Sequence, residues 1–149
     1  MDIETILVPT DFSADAQEAL STAMDLAKKF DAKIVIVHAY HVDIPLMAPP
    51  LGGVYALPAG FYDQLRAQAT LQVEAAAQEL AAAGVEARGI AVADPAAMAI
   101  VEYARSLSAD LVVMGTRGLT GLKHVALGSV AERVVRNAPC PVLTVKASD

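Results

Sequence analysis

The sequence predicts an α/β protein, a parallel sheet covered on both faces by helices, and three observations carry that prediction. Short runs rich in Ile, Leu and Val recur without polar alternation, as in strands buried on both faces. Between them lie segments whose apolar residues return at three- and four-residue spacing, as on one stripe of a helix. The two kinds alternate in the order βαβαβαβαβ, and parallel neighbours need such right-handed helical crossovers.

Residues 3–8, an ILV-rich run between a charged start and Pro9, form the first expected strand. Ser13 is the expected N-cap of a helix whose stripe is Ala16, Ala19, Leu20, Ala23, Leu26, Ala27 and Phe30. Residues 33–40, KIVIVHAY, form the second strand and feed a segment rich in Pro and Gly, HVDIPLMAPPLGGVYALPAG. The alanine-rich stretch 61–83 predicts a second helix, with Leu65, Ala69, Val73, Ala76 and Leu80 on one side and Gly84 as its stop. Residues 85–92 are the third strand, and Asp94 before Pro95 reads as an N-cap with proline at the first helical position of a helix running to about Leu107. Residues 110–114 are a fourth strand, 129–136 a fourth helix and 141–146 a fifth strand.

With 149 residues, 55% of them hydrophobic, and no internal repeat or linker, residues 1–149 are expected to make one domain. A formal charge of −6 removes the usual electrostatic source of nucleic-acid binding, so no nucleic acid is expected as a partner. No apolar run approaches a membrane span, and the opening MDIETILVPTDF lacks the basic start and long apolar run of a signal peptide. A cytoplasmic location is expected, in keeping with a single cysteine, Cys140.

The chemistry concentrates after the fourth strand. MGTRGLTGLKHVALGSVAERVV places four glycines with Arg117, Lys123 and His124, and no carboxylate before Glu132. Ligands of open parallel sheets sit beyond the carboxyl ends of the strands, where strand order reverses. Gly115 and Gly118 are expected to turn the backbone so that successive N–H groups converge on an anion. Gly128 and Ser129 begin a helix whose unpaired amides and positive dipole end favour the same kind of ligand. A second reading stays open at this point: Ser129 and Glu132 form an S-x-x-E capping box, which accounts for both residues without a ligand.

Gly115-Thr-Arg-Gly118, nine residues, then Gly128-Ser129 resembles the GxxG-x9-G(S/T) signature of the universal stress protein family in its ATP-binding branch. ILVPTDFS, DPAAMAIVEYARSLSADLVVMGTRG and NAPCPVLTVK are also similar to family patterns, so the resemblance spans the chain. It implies a Rossmann-like fold of the adenine nucleotide alpha hydrolase type, a five-stranded sheet of order 3-2-1-4-5, ATP with Mg2+ as the bound cofactors, and a homodimer through the last strands. Carried over by position, Pro9, Thr10 and Asp11 lie beneath the nucleotide, with Asp11 near the metal and phosphates. The Ala39 backbone recognises adenine, and Met114 and Gly115 flank base or ribose. Gly118 and Gly128 face the phosphates, and Ser129 and Val130 donate to the terminal ones. Arg117 and Lys123 are looser assignments. Ala93 departs from the glycine that family members often carry before the proline, which bears on the turn more than on the ligand.

Neither a GxxxxGK[ST] loop nor a GxGxxG turn is present. His38 and His41 lack cysteine or further histidine nearby, so packing and loop roles are expected rather than a metal site. Cys140, between two prolines at the entry to a buried strand, reads as a small hydrophobic thiol. Ser13 and Ser129 lack an adjacent histidine and carboxylate for a nucleophile. The segment around Met47 reads as a flap over the site or a partner surface. Residues 142–145 are an expected edge strand whose backbone groups must be blunted or paired, and two copies pairing antiparallel would do so. Three functions remain open: a nucleotide-responsive stress protein read by a regulatory partner, a slow ATPase or autophosphorylating protein, and a dimeric adaptor with an unoccupied site. Scarce catalytic groups argue against the second, and the intact glycine motif against the third.

Overall fold

A computed structural model of the chain describes residues 1–40, 58–119 and 126–148. Strands β1 (Thr5–Pro9), β2 (Lys33–Ala39), β3 (Ala87–Val92), β4 (Leu111–Gly115) and β5 (Val142–Val145) alternate with helices α1 (Ala14–Phe30), α2 (Phe61–Ala82), α3 (Ala96–Ser106) and α4 (Ser129–Asn137). All strand pairs are parallel and the order is β3-β2-β1-β4-β5, the Rossmann-like arrangement expected.

The unbroken apolar runs are explained by the two layers they serve. Ile6, Val8, Ile34, Ile36 and Val113 pack under α1 and α2, with Ala19, Ala23, Val73 and Leu80. Their neighbours Leu7, Val35, Val37, Val112 and Met114 point the other way, against Ile100, Ala104, Ala131 and Val134 of α3 and α4. Successive strand side chains alternate faces, so a strand covered on both sides must be apolar at every position.

Local chemistry sets both ends of α1 and the end of α2. Ser13 caps α1 as expected, its hydroxyl accepting from the Ala16 amide at 3.3 Å, and Asp31 closes the helix in the left-handed region at φ 57°. Gly84, at φ +89°, follows α2, a conformation that suits glycine.

Two strand starts differ from expectation by more than one residue, and one helix cap differs in kind. β1 begins at Thr5 because the Glu4 and Thr5 amides both donate to the Asp110 carboxylate, each at 2.9 Å. β3 begins at Ala87 because the Val85 amide closes the end of α2 on the Leu80 carbonyl. The expected Asp94 cap does not form: Pro95 holds the cap position with no side-chain bond, and its carbonyl accepts the first helical bond, from Ala99. Ala93 needs no glycine, since it is not among the residues with positive φ.

Candidate functional site

The strand order reverses between β1 and β4, where the chain has gone first to one side of the sheet and then to the other. Beyond the carboxyl ends of these strands lies a cavity of about 340 Å³. Its wall includes eleven positions assigned to the ligand from the sequence: Pro9, Thr10, Asp11, Ala39, Met114, Gly115, Arg117, Gly118, Gly128, Ser129 and Val130. Ala16, Val37, Ala96, Ile100, Thr116 and Ala131 complete it, supplied by packing that no linear motif records. Lys123, His124, His41 and Met47 lie outside the described residues.

The β1–α1 turn is held from several sides. Thr10 donates its amide to the Val37 carbonyl at 2.9 Å, and its hydroxyl accepts from the Phe12 amide at 3.0 Å. Phe12 sits at φ 62°, an uncommon conformation for a bulky residue that must be held by its surroundings. Its ring meets the edge of His38 at 4.8 Å, while His38 Nδ1 donates to the Thr10 carbonyl at 2.9 Å. His38 therefore buttresses this turn, and no group of three or more potential metal ligands occurs among the described residues. Asp11 spans the cleft mouth, with one oxygen accepting from the Ser13 amide at 2.9 Å and the other from the Leu119 amide at 3.1 Å.

The glycine loop corrects the sequence reading in two ways. Neither Gly115 nor Gly118 has positive φ; both are small because something is close. A Cβ on Gly115 would stand 2.8 Å from Asp15 Cβ, and one on Gly118 would stand 2.8 Å from Asp11 Oδ2. Nor do the loop amides converge as a set. Thr116 donates to Val145, Arg117 to Asp15, Leu119 to Asp11, and Gly128 to the Thr116 carbonyl at 2.6 Å. The amides of Gly118, Ser129, Val130 and Ala131 have no acceptor among the described residues. The last three form the first turn of α4, where a helix presents unpaired N–H groups and the positive end of its dipole.

The capping box also fails to form. Gly128, not Ser129, occupies the cap position, no side chain caps α4, and the Glu132 carboxylate pairs with Arg136 at 2.6 Å on the surface. Ser129 is left facing the cavity at the first helical position.

Arg117, loosely assigned to phosphate, lines the cavity and also grips Asp15 through Nε at 3.1 Å and Nη2 at 3.0 Å. Asp15 is the residue that sequence reasoning missed. Its carboxylate is buried beside the loop and also accepts from the Thr116 hydroxyl at 2.9 Å and the Ala147 amide at 3.0 Å. The Arg117 guanidinium holds this carboxyl well below the usual carboxylate range; burial opposes, and the Ala147 amide and Thr116 hydroxyl reinforce. An acidic residue in the first turn of a helix commonly answers the helix dipole, so position alone did not single it out. Cys140 packs against the α3–α4 layer, and burial pushes its thiol up, away from a reactive thiolate.

Residues 2–146 match the family model for the universal stress protein family. The chain belongs to that family. Among its relatives are universal stress protein MJ0531 of Methanocaldococcus jannaschii, 40% identical over 95% of this chain and 81% of that one, and YxiE of Bacillus subtilis, 32% identical over 95% and 97%. In structure this universal stress protein is similar to hypothetical protein MJ0577, with a TM-score of 0.83 at 28% identity over 100% of this chain and 99% of that one. It is also similar to UspA from Lactobacillus plantarum, with a TM-score of 0.76 at 26% identity over 97% and 99%.

Proposed function

We propose that the cavity binds an adenine nucleotide, ATP with Mg2+ being the form that fits it best, and that occupancy is read by a regulatory partner rather than turned into product. The observation that carries this reading is the polarity of one cleft. Val37, Ala39, Ile100 and Met114 offer apolar surface for a base, and the three first-turn amides of α4 that have no acceptor among the described residues offer anion contacts in the same cleft. Asp11 reaches the same space, and a carboxylate beside phosphate oxygens suits Mg2+, which takes one or two carboxylates and completes its shell with phosphate and water. A universal stress protein solved in complex with cAMP has a TM-score of 0.66 to this chain at 28% identity, covering 99% of this chain and 100% of that one. That likeness supports an adenine nucleotide in the cleft.

Both oxygens of Asp11 already accept backbone amides, and Arg117 is engaged by Asp15, so the charged groups at the loop serve its shape more than an attacking water. This favours a switch over an ATPase. β5 is an edge of the described sheet and leaves Leu143 39% exposed, which supports a homodimer through Val142–Val145. The cytoplasm suits an acidic chain with one cysteine.

The test is to denature protein purified without added nucleotide and to quantify what is released by anion-exchange chromatography, followed by calorimetric titration with MgATP. Near-stoichiometric adenine nucleotide, or saturable binding, is expected. Gly128→Val should abolish either result with the far-UV circular dichroism unchanged, because a Cβ there meets the Thr116 carbonyl oxygen at 3.0 Å and a larger side chain crowds the start of α4. Retained affinity in that variant, or no binding by the wild type, refutes the reading.

A further inference from the structure

Asp15 is absent from the wall of the cavity, yet it binds the loop that forms part of that wall. Its side chain is 4% exposed, and its two oxygens take five donors from two distant segments. Oδ2 accepts from the Thr116 hydroxyl, the Arg117 amide and Arg117 Nε; Oδ1 accepts from Arg117 Nη2 and the Ala147 amide. A carboxylate has about four lone-pair directions, so these oxygens are fully engaged. Gly115 permits the approach, since any side chain there would strike the first turn of α1. Ala147 lies two residues beyond β5, whose exposed Leu143 marks the edge of the sheet.

We propose that Asp15 is a positioning residue that holds the glycine loop in its ligand-ready shape and couples it to the segment after β5. The positioning role rests on the nucleotide reading above; the link between loop and tail does not. The loop and the tail meet on one carboxylate. A ligand that moves Thr116 and Arg117 therefore alters the bond to Ala147, and anything that captures the tail alters the ligand affinity by the same factor. The edge strand proposed to join two copies would thereby sense whether the cleft is filled.

The sign of one substitution separates this from simple electrostatics. Asp15→Asn removes a negative charge near the cleft, which by Coulomb's law alone would strengthen binding of a polyphosphate. Positioning demands the opposite. The experiment is calorimetric titration of MgATP into wild type, Asp15→Asn and Ala147→Pro, with amide hydrogen exchange at Ala147 followed in wild type and Arg117→Ala. Asp15→Asn is expected to weaken MgATP binding roughly fivefold or more, a coupling of the usual allosteric size. Ala147→Pro, which removes the N–H donor beyond the last strand and fixes φ there, is expected to weaken it in the same direction. The Ala147 amide should exchange more slowly with MgATP bound, and faster in ligand-free Arg117→Ala.

Unchanged or tighter binding in Asp15→Asn overturns the positioning role. Unchanged affinity in Ala147→Pro overturns the coupling to the tail, as does unchanged Ala147 exchange in Arg117→Ala. If Asp15→Asn fails to fold, Ala147→Pro, whose change lies outside the sheet, decides by itself. Wild type that binds no MgATP removes the nucleotide reading and the positioning role with it, while ligand-free exchange in Arg117→Ala still decides whether loop and tail are joined.

Discussion

Replacing Asp15 by alanine tests how much stability the buried carboxylate contributes. The change deletes an acceptor of five hydrogen bonds and takes from Arg117, whose side chain is 14% exposed, the carboxylate that its guanidinium grips through two nitrogens. Removing one partner of a buried ion pair costs about 3–5 kcal/mol, and residual solvation of the guanidinium argues for the lower end, about 3 kcal/mol. For a chain of this size that lowers Tm by roughly 6–12 °C. Urea denaturation followed by circular dichroism at pH 7 measures it.

The pH dependence gives a second reading of the same contact. Because the folded-state pKa of Asp15 is depressed, the unfolded chain binds the extra proton first as pH falls. The stabilisation is therefore fully present above the ordinary carboxylate range and is lost on descent toward the folded value. The gap between wild type and Asp15→Ala should stay constant from about pH 8 to pH 5, then narrow by about 1.4 kcal/mol per unit below about pH 4. A gap under about 1 kcal/mol at pH 7, or one that stays constant down to pH 3, would refute the assignment of Asp15 as a charged, hydrogen-bonded junction.

Gly89→Ala should destabilise the protein by about 1–3 kcal/mol in urea melts, since the new Cβ would stand 2.6 Å from the Val73 carbonyl oxygen and force α2 off β3. A neutral result would show that α2 slides without cost. Leu143→Asp places a charge on the exposed edge strand and, for the dimer proposed through β5, should yield a monomer in light scattering where wild type gives a dimer; a variant as dimeric as wild type would refute that interface.

Local chemistry was legible because it is written in adjacent residues. The continuous apolar runs of β1, β2 and β4 announce burial on two faces, the stripe of α1 announces its packed side, and Ser13 caps that helix as read. The spacing of Gly115, Gly118 and Gly128 marks the loop that walls the cavity. Where the structure departs from the expected caps, another group close by in the chain takes the place. Glu132 was available to a capping box but pairs with Arg136 while Gly128 takes the cap, and Asp94 was available to α3 but Pro95 begins it.

The sequence by itself determined the order and type of the elements, the two-sided core and the place of the loop, all of which follow from periodicity and short-range stereochemistry. Only the tertiary structure decided what the loop is made of. The contacts of Asp15 with Thr116, Arg117 and Ala147 cross 101, 102 and 132 positions of chain, and the glycines are small because α1 and Asp11 stand beside them. No periodicity encodes such meetings; they arise when strands separated in sequence are laid side by side and bring their loops to one end of the sheet.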